Sequence, residues 1–275
     1  MFALSPQSPL FYSLRPDTHM KVTFLGTGTS VGIPVIGCAC AVCTSVDPRN
    51  RRLRAGLHVE ADGLHLVIDT PPDFRQQALT YRIPRVDSIL FTHAHADHIF
   101  GLDDMRRFNT IQDAVIPAFA SAASIADLSR VFNYIRLDKV QGEFRPRIEF
   151  REVQGPFRIG DIDIQPLDVE HGRSPTLGFL IASAGRTFGY VPDCHGMQDA
   201  TVEALAGIDV MVLDALRHRP HATHLTVQDS VALLERIGAR RSYLTHMCHD
   251  LDHAETERQL PDSIRLSYDG QVLEW

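Results

Sequence analysis

Thr92-His93-Ala94-His95-Ala96-Asp97-His98 puts three imidazoles and a carboxylate within six residues, directly after the apolar stretch Asp87-Ser88-Ile89-Leu90-Phe91. The stretch reads as a buried strand bounded by polar residues. Ligands at the end of a rigid strand stay in place, as a metal site requires, and imidazole with carboxylate suits Zn, Mn or Fe. Further candidates follow strand-like segments downstream: His171 after Ile162 to Val169, Asp193 after Thr187 to Val191, and His246 after Ser242 to Thr245. Together they make five His and two Asp. One ion takes three or four protein ligands, so this set fits two ions that share a bridging carboxylate.

A second constellation is Cys38-Ala39-Cys40-Ala41-Val42-Cys43, on a loop between Gly37 and Pro48. No basic segment followed by an apolar stretch marks residues 1–19 as a signal peptide, so disulfides are not expected and a cytoplasmic location is. Three thiolates at this spacing suit a zinc clamp that lacks its fourth ligand. His249, three residues after His246, is the best candidate for it, with Cys248 as a rival; Cys194 reads as a small buried residue.

His-x-His-x-Asp-His followed by a spaced His, Asp and His resembles the metallo-β-lactamase superfamily. The opening run Val22-Thr23-Phe24-Leu25-Gly26-Thr27-Gly28-Thr29-Ser30 resembles the first strand and loop of its phosphodiesterase branch. The three-cysteine loop with His249 resembles the PhnP-type cyclic phosphodiesterases within that branch. The resemblance covers nearly all of Met20 to Trp275. It implies an α/β (α+β) fold, the four-layer αββα sandwich, in which two mixed β-sheets pack face to face with helices outside.

The resemblance also assigns roles. His93, His95 and His171 would hold one divalent ion, Mn2+ or Zn2+. Asp97, His98 and His246 would hold the other, and Asp193 would bridge them. Cys38, Cys40, Cys43 and His249 would hold a structural Zn2+. Asp69 matches a recurrent aspartate that orients the ligand loops. A hydroxide between the two ions would open a small cyclic phosphodiester, such as 5-phosphoribosyl 1,2-cyclic phosphate. His224 would protonate the leaving oxygen, with Asp97 counted alongside it among the catalytic residues; His221 and then His218 are alternatives for the proton donor. The loop Gly172-Arg173-Ser174-Pro175-Thr176 is placed to contact substrate without revealing a preference.

With 275 residues and 44% hydrophobic content, the chain can bury one sizeable core, and no apolar run approaches a membrane span. Residues 1–19 are expected to be an N-terminal extension and 20–275 one hydrolase domain. The net charge of −7 disfavours nucleic acid without excluding it. Arg49, Arg51, Arg52 and Arg54 read either as a solvated loop or as a positive rim for a phosphorylated substrate. A homodimer is consistent with related enzymes, although no sequence feature specifies one.

Strands are expected at Met20 to Gly26, in a hairpin of Leu57 to Ala61 and Leu64 to Asp69 around Asp62-Gly63, and at Ile89 to Thr92 and Val115 to Ala120. The second half adds Ile148 to Val153, Phe157 to Ile159, Ile162 to Val169, Leu177 to Ala182, Thr187 to Val191 and Val210 to Asp214. Helices are expected over Asp73 to Tyr81, Gly101 to Phe108, 121–136, Gln198 to Ala206 and Thr226 to Ile237.

Competing activities within the superfamily are a tRNA 3′-end endonuclease and a glyoxalase II-like thioesterase or lactonase. The first lacks a basic or Gly/Pro-rich arm here, and the second lacks the cysteine clamp and the early Gly-Thr-Gly-Thr-Ser loop. Di-iron electron-transfer members commonly carry a carboxylate where His95 stands. An inactive scaffold is inconsistent with seven intact ligands. The interval from Asp193 to His246 is too short for an inserted domain.

Overall fold

In the computed structural model, which describes residues 19–135 and 144–275, the strand segments assemble into two sheets. The first has the order β14-β1-β2-β3-β4-β5-β6. Its strands are β1 (Lys21–Gly26), β2 (Gly56–Ala61), β3 (Leu64–Ile68), β4 (Ser88–Leu90), β5 (Ile116–Ala120), β6 (Ile148–Glu152) and β14 (Val272–Glu274). The second has the order β13-β12-β11-β10-β9-β8-β7. It is built from β7 (Phe157–Ile159), β8 (Ile162–Val169), β9 (Thr176–Ser183), β10 (Arg186–Val191), β11 (Val210–Asp214), β12 (Arg241–Thr245) and β13 (Ile264–Leu266). Each sheet is antiparallel in one half and parallel in the other: β3 to β6 run parallel in the first, and β10 to β13 in the second.

Side-chain alternation sorts the residues into layers. Phe24, Leu57 and Leu66 from the first sheet meet Phe179, Phe188 and Tyr190 from the second in one buried cluster. The outer face of the first sheet packs Val67, Ile89 and Ala118 against Phe74, Met105 and Leu128. These come from α1 (Phe74–Thr80), α3 (Met105–Gln112) and α4 (Ala122–Val131), which follow and precede the short α2 (Ala96–Ile99) in chain order as numbered. The outer face of the second sheet packs Met211, Leu213 and Leu244 against Val202, Leu233 and Leu234. Those three belong to α5 (Asp199–Ala204) and α6 (Val227–Ile237), and α7 (His253–Glu257) follows β12. The result is the αββα sandwich, because each sheet has two apolar faces and only this layering covers both.

Local chemistry sets the element ends. Thr226 and Asp229 form a reciprocal capping box at the start of α6, and Gly238 closes the helix at φ 64. The helix expected over 121–136 ends at Val131, with Phe132 leaving the helical region, and residue 136 lies outside the described residues. The segment Gly101 to Phe108 divides into a 3-10 turn, Leu102–Asp104, and α3. Residues 1–18 of the expected extension also lie outside the described residues. β13, β14 and α7 carry too few residues to show a period. β14 is held by pairing with β1, where Lys21 faces Glu274 and Val22 faces Leu273.

This layering fixes where chemistry can occur. The carboxyl ends of the parallel strands β3, β4, β10, β11 and β12 carry Asp69, Thr92, Asp193, Asp214 and Thr245-His246, the position where open parallel sheets place their ligands.

Candidate metal centre

The seven ligand candidates meet in two groups that share one residue. Donor atoms of His93, His95, His171 and Asp193 lie within 4.8 Å of one another, as do those of Asp97, His98, Asp193 and His246. Asp193 divides its oxygens between them. Its Oδ2 lies 3.7 Å from His93 Nε2 and 3.6 Å from His171 Nε2. Its Oδ1 lies 3.4 Å from His98 Nε2 and 3.3 Å from His246 Nε2. Asp97 Oδ2 closes the second group, 3.3 Å from His98 Nε2 and 3.6 Å from His246 Nε2.

The donor set fits a cation pair. Asp193 Oδ1, His98 Nε2 and His246 Nε2 are buried without a hydrogen-bond partner, an arrangement that is costly unless a further charge satisfies it. The nearest donor spacings, 3.3–3.7 Å, match ligands converging on one ion at about 2.0–2.2 Å. Burial opposes ionisation of Asp193, yet His246, His98 and His93 hold its carboxyl well below the usual carboxylate range. Burial also pushes His93 well down and His171 down to about 4, which leaves both rings neutral, the form that ligates metal.

A layer of polar groups orients these rings. Asp69, fully buried with φ 62, accepts from Thr92 N (2.9 Å) and Thr92 Oγ1 (2.8 Å) and faces His98 Nδ1 at 2.8 Å. Thr92 Oγ1 in turn lies 3.0 Å from His93 Nδ1. The carbonyl of Thr223 accepts from His171 Nδ1 at 2.8 Å. Each contact leaves Nε2 free to point inward. His246 is held at φ 59, a conformation uncommon outside glycine, by the turn that closes β12. Backbone bonds from Met247 N to the Thr27 carbonyl (3.0 Å) and from Thr29 N to the Met247 carbonyl (3.1 Å) grip that turn. Just before this grip, the end of β1 passes close to the loop leading into β2: a Cβ on Gly26 would lie 2.1 Å from the Arg54 carbonyl oxygen.

His224 borders the same cluster. Its ring stacks on His246 with centroids 4.8 Å apart at 13° and meets His171 edge-on at 4.8 Å. Its Nδ1 lies 2.9 Å from Asp214 Oδ2. Burial first, then His246, pushes His224 down to about 4. His221 is exposed with its ring 5.1 Å from His224, and His218 is exposed. Asp214 is the residue that sequence reasoning missed. It is fully buried and accepts from Cys194 N and Leu225 N, both at 3.2 Å. The available signal was its place after Val210 to Leu213, the same strand-end position that Asp69 and Asp193 occupy.

The cysteine loop meets the turn after His246. His249 Nδ1 lies 3.3, 3.6 and 3.5 Å from the Sγ atoms of Cys38, Cys40 and Cys43. All four donor atoms fall within 4.8 Å of one another. One imidazole nitrogen nearly equidistant from three sulfurs has no single hydrogen-bond partner, and the four converge as tetrahedral zinc ligands do. The Cys43 backbone N–H draws Cys40 down to about 6, whereas burial raises Cys43 to about 11. Cys248 stands outside the group and accepts from Asp250 N at 3.3 Å, and Cys194 is buried.

The arginine run is not a rim. Arg52 is 1% exposed and bonds the carbonyls of Cys248 (3.0 Å) and Leu251 (2.8 Å), on either side of His249. Arg49 pairs with Asp47 at 2.7 Å and Arg54 with Asp73 at 3.0 Å. Only Arg51 of the four is both exposed and without a polar partner among the described residues. Alternation of charge along the sequence could not show that three of these guanidiniums are spent on local structure.

A family model described as a β-lactamase superfamily domain matches residues 65–247, the span from β3 to the turn after β12. The chain belongs to this superfamily. A crystal structure described as a new diphosphatase from the PhnP family is 42% identical, with a TM-score of 0.86 over 94% of this chain and 97% of that one, which places the chain in the PhnP-type branch. An octanoyltransferase of Porphyromonas gingivalis is 34% identical over 257 residues, covering 91% of this chain but 51% of that protein. The chain therefore spans about half the length of that relative. Zn2+-bound PqqB from Methylobacterium extorquens shares the fold at 20% identity and a TM-score of 0.75. The chain has the metallo-β-lactamase fold, and that fold implies divalent metal ions. No helix of the described residues is long and apolar enough to cross a membrane.

Proposed function

We propose that the chain is a metal-dependent phosphodiesterase that opens a small cyclic phosphodiester, 5-phosphoribosyl 1,2-cyclic phosphate being the substrate to test. His93, His95 and His171 hold one divalent ion, Asp97, His98 and His246 the other, and Asp193 lies between them. Cys38, Cys40, Cys43 and His249 hold a structural Zn2+. The observation that carries this reading is the division of the Asp193 oxygens between two sets of histidines, with His224 stacked at the edge of both.

Two divalent ions in such a site, Mn2+ or Zn2+, supply a water acidic enough to ionise near neutral pH and positive charge for the non-bridging phosphoryl oxygens. The protein's own residues do the rest. Asp69, Thr92 and Thr223 fix the ring orientations. Asp214 holds the Nδ1 proton of His224, so Nε2 is the atom that faces the leaving oxygen. The resting ring is neutral, and the negative charge of an arriving phosphodiester favours its protonated form, which then gives its proton to the leaving alkoxide. Four protein ligands leave the cysteine site no open position, so its role is to hold one wall of the cleft. A cytoplasmic location and a homodimer complete the reading.

The 42% identical structure is named a diphosphatase, which supports a phosphoanhydride as a second substrate class for the same centre. A ³¹P NMR time course of the Mn-loaded protein separates these. Rapid conversion of 5-phosphoribosyl 1,2-cyclic phosphate to a phosphomonoester supports the proposal, with 2′,3′-cyclic AMP slower. Turnover of ADP alone moves the activity to phosphoanhydrides. No turnover of any of the three by protein shown to hold its metals returns the chain to the tRNA-processing or thioester-hydrolysing alternatives.

A further inference from the structure

His58, Glu60 and His65 form a third cluster of donors, on the outer face of the β2–β3 hairpin. The strand alternation places them together. Leu57, Val59 and Leu66 point into the core between the sheets, which turns His58, Glu60 and His65 to the opposite face. Glu60 pairs directly with His65 in the register, and His58 lies diagonal to it. His58 Nε2 is 3.0 Å from His65 Nδ1, and the rings stack at 5.1 Å and 13°. One donor atom from each of the three residues lies within 4.8 Å of the others. His58 is 4% exposed, while His65 and Glu60 open onto a surface pocket of about 380 Å³ that Asp62, Glu274 and Lys21 also line.

We propose that this hairpin binds a divalent transition-metal ion, zinc by the chemistry of its donors, at a site separate from both metal groups described above. Two imidazoles and a carboxylate are a borderline-soft set that suits zinc, and three protein ligands with an open side leave room for water. Burial pushes His58 down to about 4 and lowers His65, so both rings are neutral at pH 7 and ready to ligate. Two neutral imidazoles facing each other share a single N–H···N bond, and a cation can stand between them once the donating ring shifts its proton to its other nitrogen. The carboxylates of Glu60, Asp62 and Glu274 favour the cation, and the ammonium of Lys21, 2.8 Å from Glu60 Oε1, opposes it. The site lies at the far end of the first sheet from the dinuclear group. Four residue steps along β3 and its end separate His65 from Asp69, about 13 Å along an extended chain.

The opposing lysine gives the test its direction. Zinc is titrated into the full chain already loaded at its other sites, and the His58 and His65 ring nitrogens are followed by long-range ¹H–¹⁵N NMR. Expected are shifts of both rings at a zinc concentration where the other histidines are already saturated. His65→Ala should abolish the event, and Lys21→Met should lower the zinc concentration at its midpoint about tenfold. Neither variant touches the dinuclear group, so phosphodiester turnover should not change. Ring shifts absent up to millimolar zinc, or a midpoint unmoved in Lys21→Met, would overturn the proposal.

Discussion

His224 touches the cluster through its ring face while Nδ1 is committed to Asp214, and this sets what each side chain is expected to contribute. His224→Ala should keep both active-site ions by elemental analysis yet lose about 10²- to 10⁴-fold in turnover, the usual cost of removing a general acid. Unchanged turnover would remove His224 from the chemistry. Asp214→Asn preserves volume but puts an amide where the carboxyl oxygen faces Nδ1 at 2.9 Å. It should lower turnover with little change in KM, because it acts on the proton donor and not on substrate binding. The seven ligand candidates were legible from their residue types and their place after apolar runs, and the fold brings their donor atoms together. Asp214 was marked only by its strand-end position, and its partner became visible once the fold turned it toward a histidine ten residues later.

At the scale of elements, the loop from Gly26 to Leu53 and the turn from His246 to Leu251 behave as one bolted unit. Three cysteines grip His249, and Arg52 grips the carbonyls on either side of it. Cys40→Ser should release about one zinc per chain while the dinuclear ions remain, and the thermal midpoint should fall; retention of all zinc would show that these sulfurs hold none. Arg52→Met orphans two buried carbonyls at about 1–3 kcal/mol each. Its urea midpoint should fall with an unchanged slope. The cysteine spacing marked this loop as a candidate clamp, whereas Arg52 looked like its solvated neighbours. A buried guanidinium satisfied by three carbonyls and the Asn50 side chain leaves no trace in a charge pattern.

For the whole molecule, stability should depend on pH through histidines that the fold keeps neutral. His253 has a side chain 3% exposed, and burial first, with Arg49 and Arg52 after it, pushes it down to about 4. Unfolded, it titrates near 6.5, so below that pH the unfolded chain takes up the proton first. Its contribution is therefore fully present above about 6.5 and is lost as pH falls toward 4. The stability difference between wild type and His253→Asn should shrink between pH 7.5 and pH 4.5 in urea unfolding, and a difference independent of pH would contradict the assignment. At this scale the sequence by itself determined which residues could be ligands, that they follow buried strands, and that two layers of alternating strands recur along the chain, because periodicity and residue chemistry are local properties. The tertiary structure decided which oxygen of Asp193 faces which histidines, that β14 returns to the first sheet, and that Asp214 and Arg52 are buried at the site. Those facts depend on the register between distant segments, and register is set by how the two sheets bury their faces together, which no local pattern encodes.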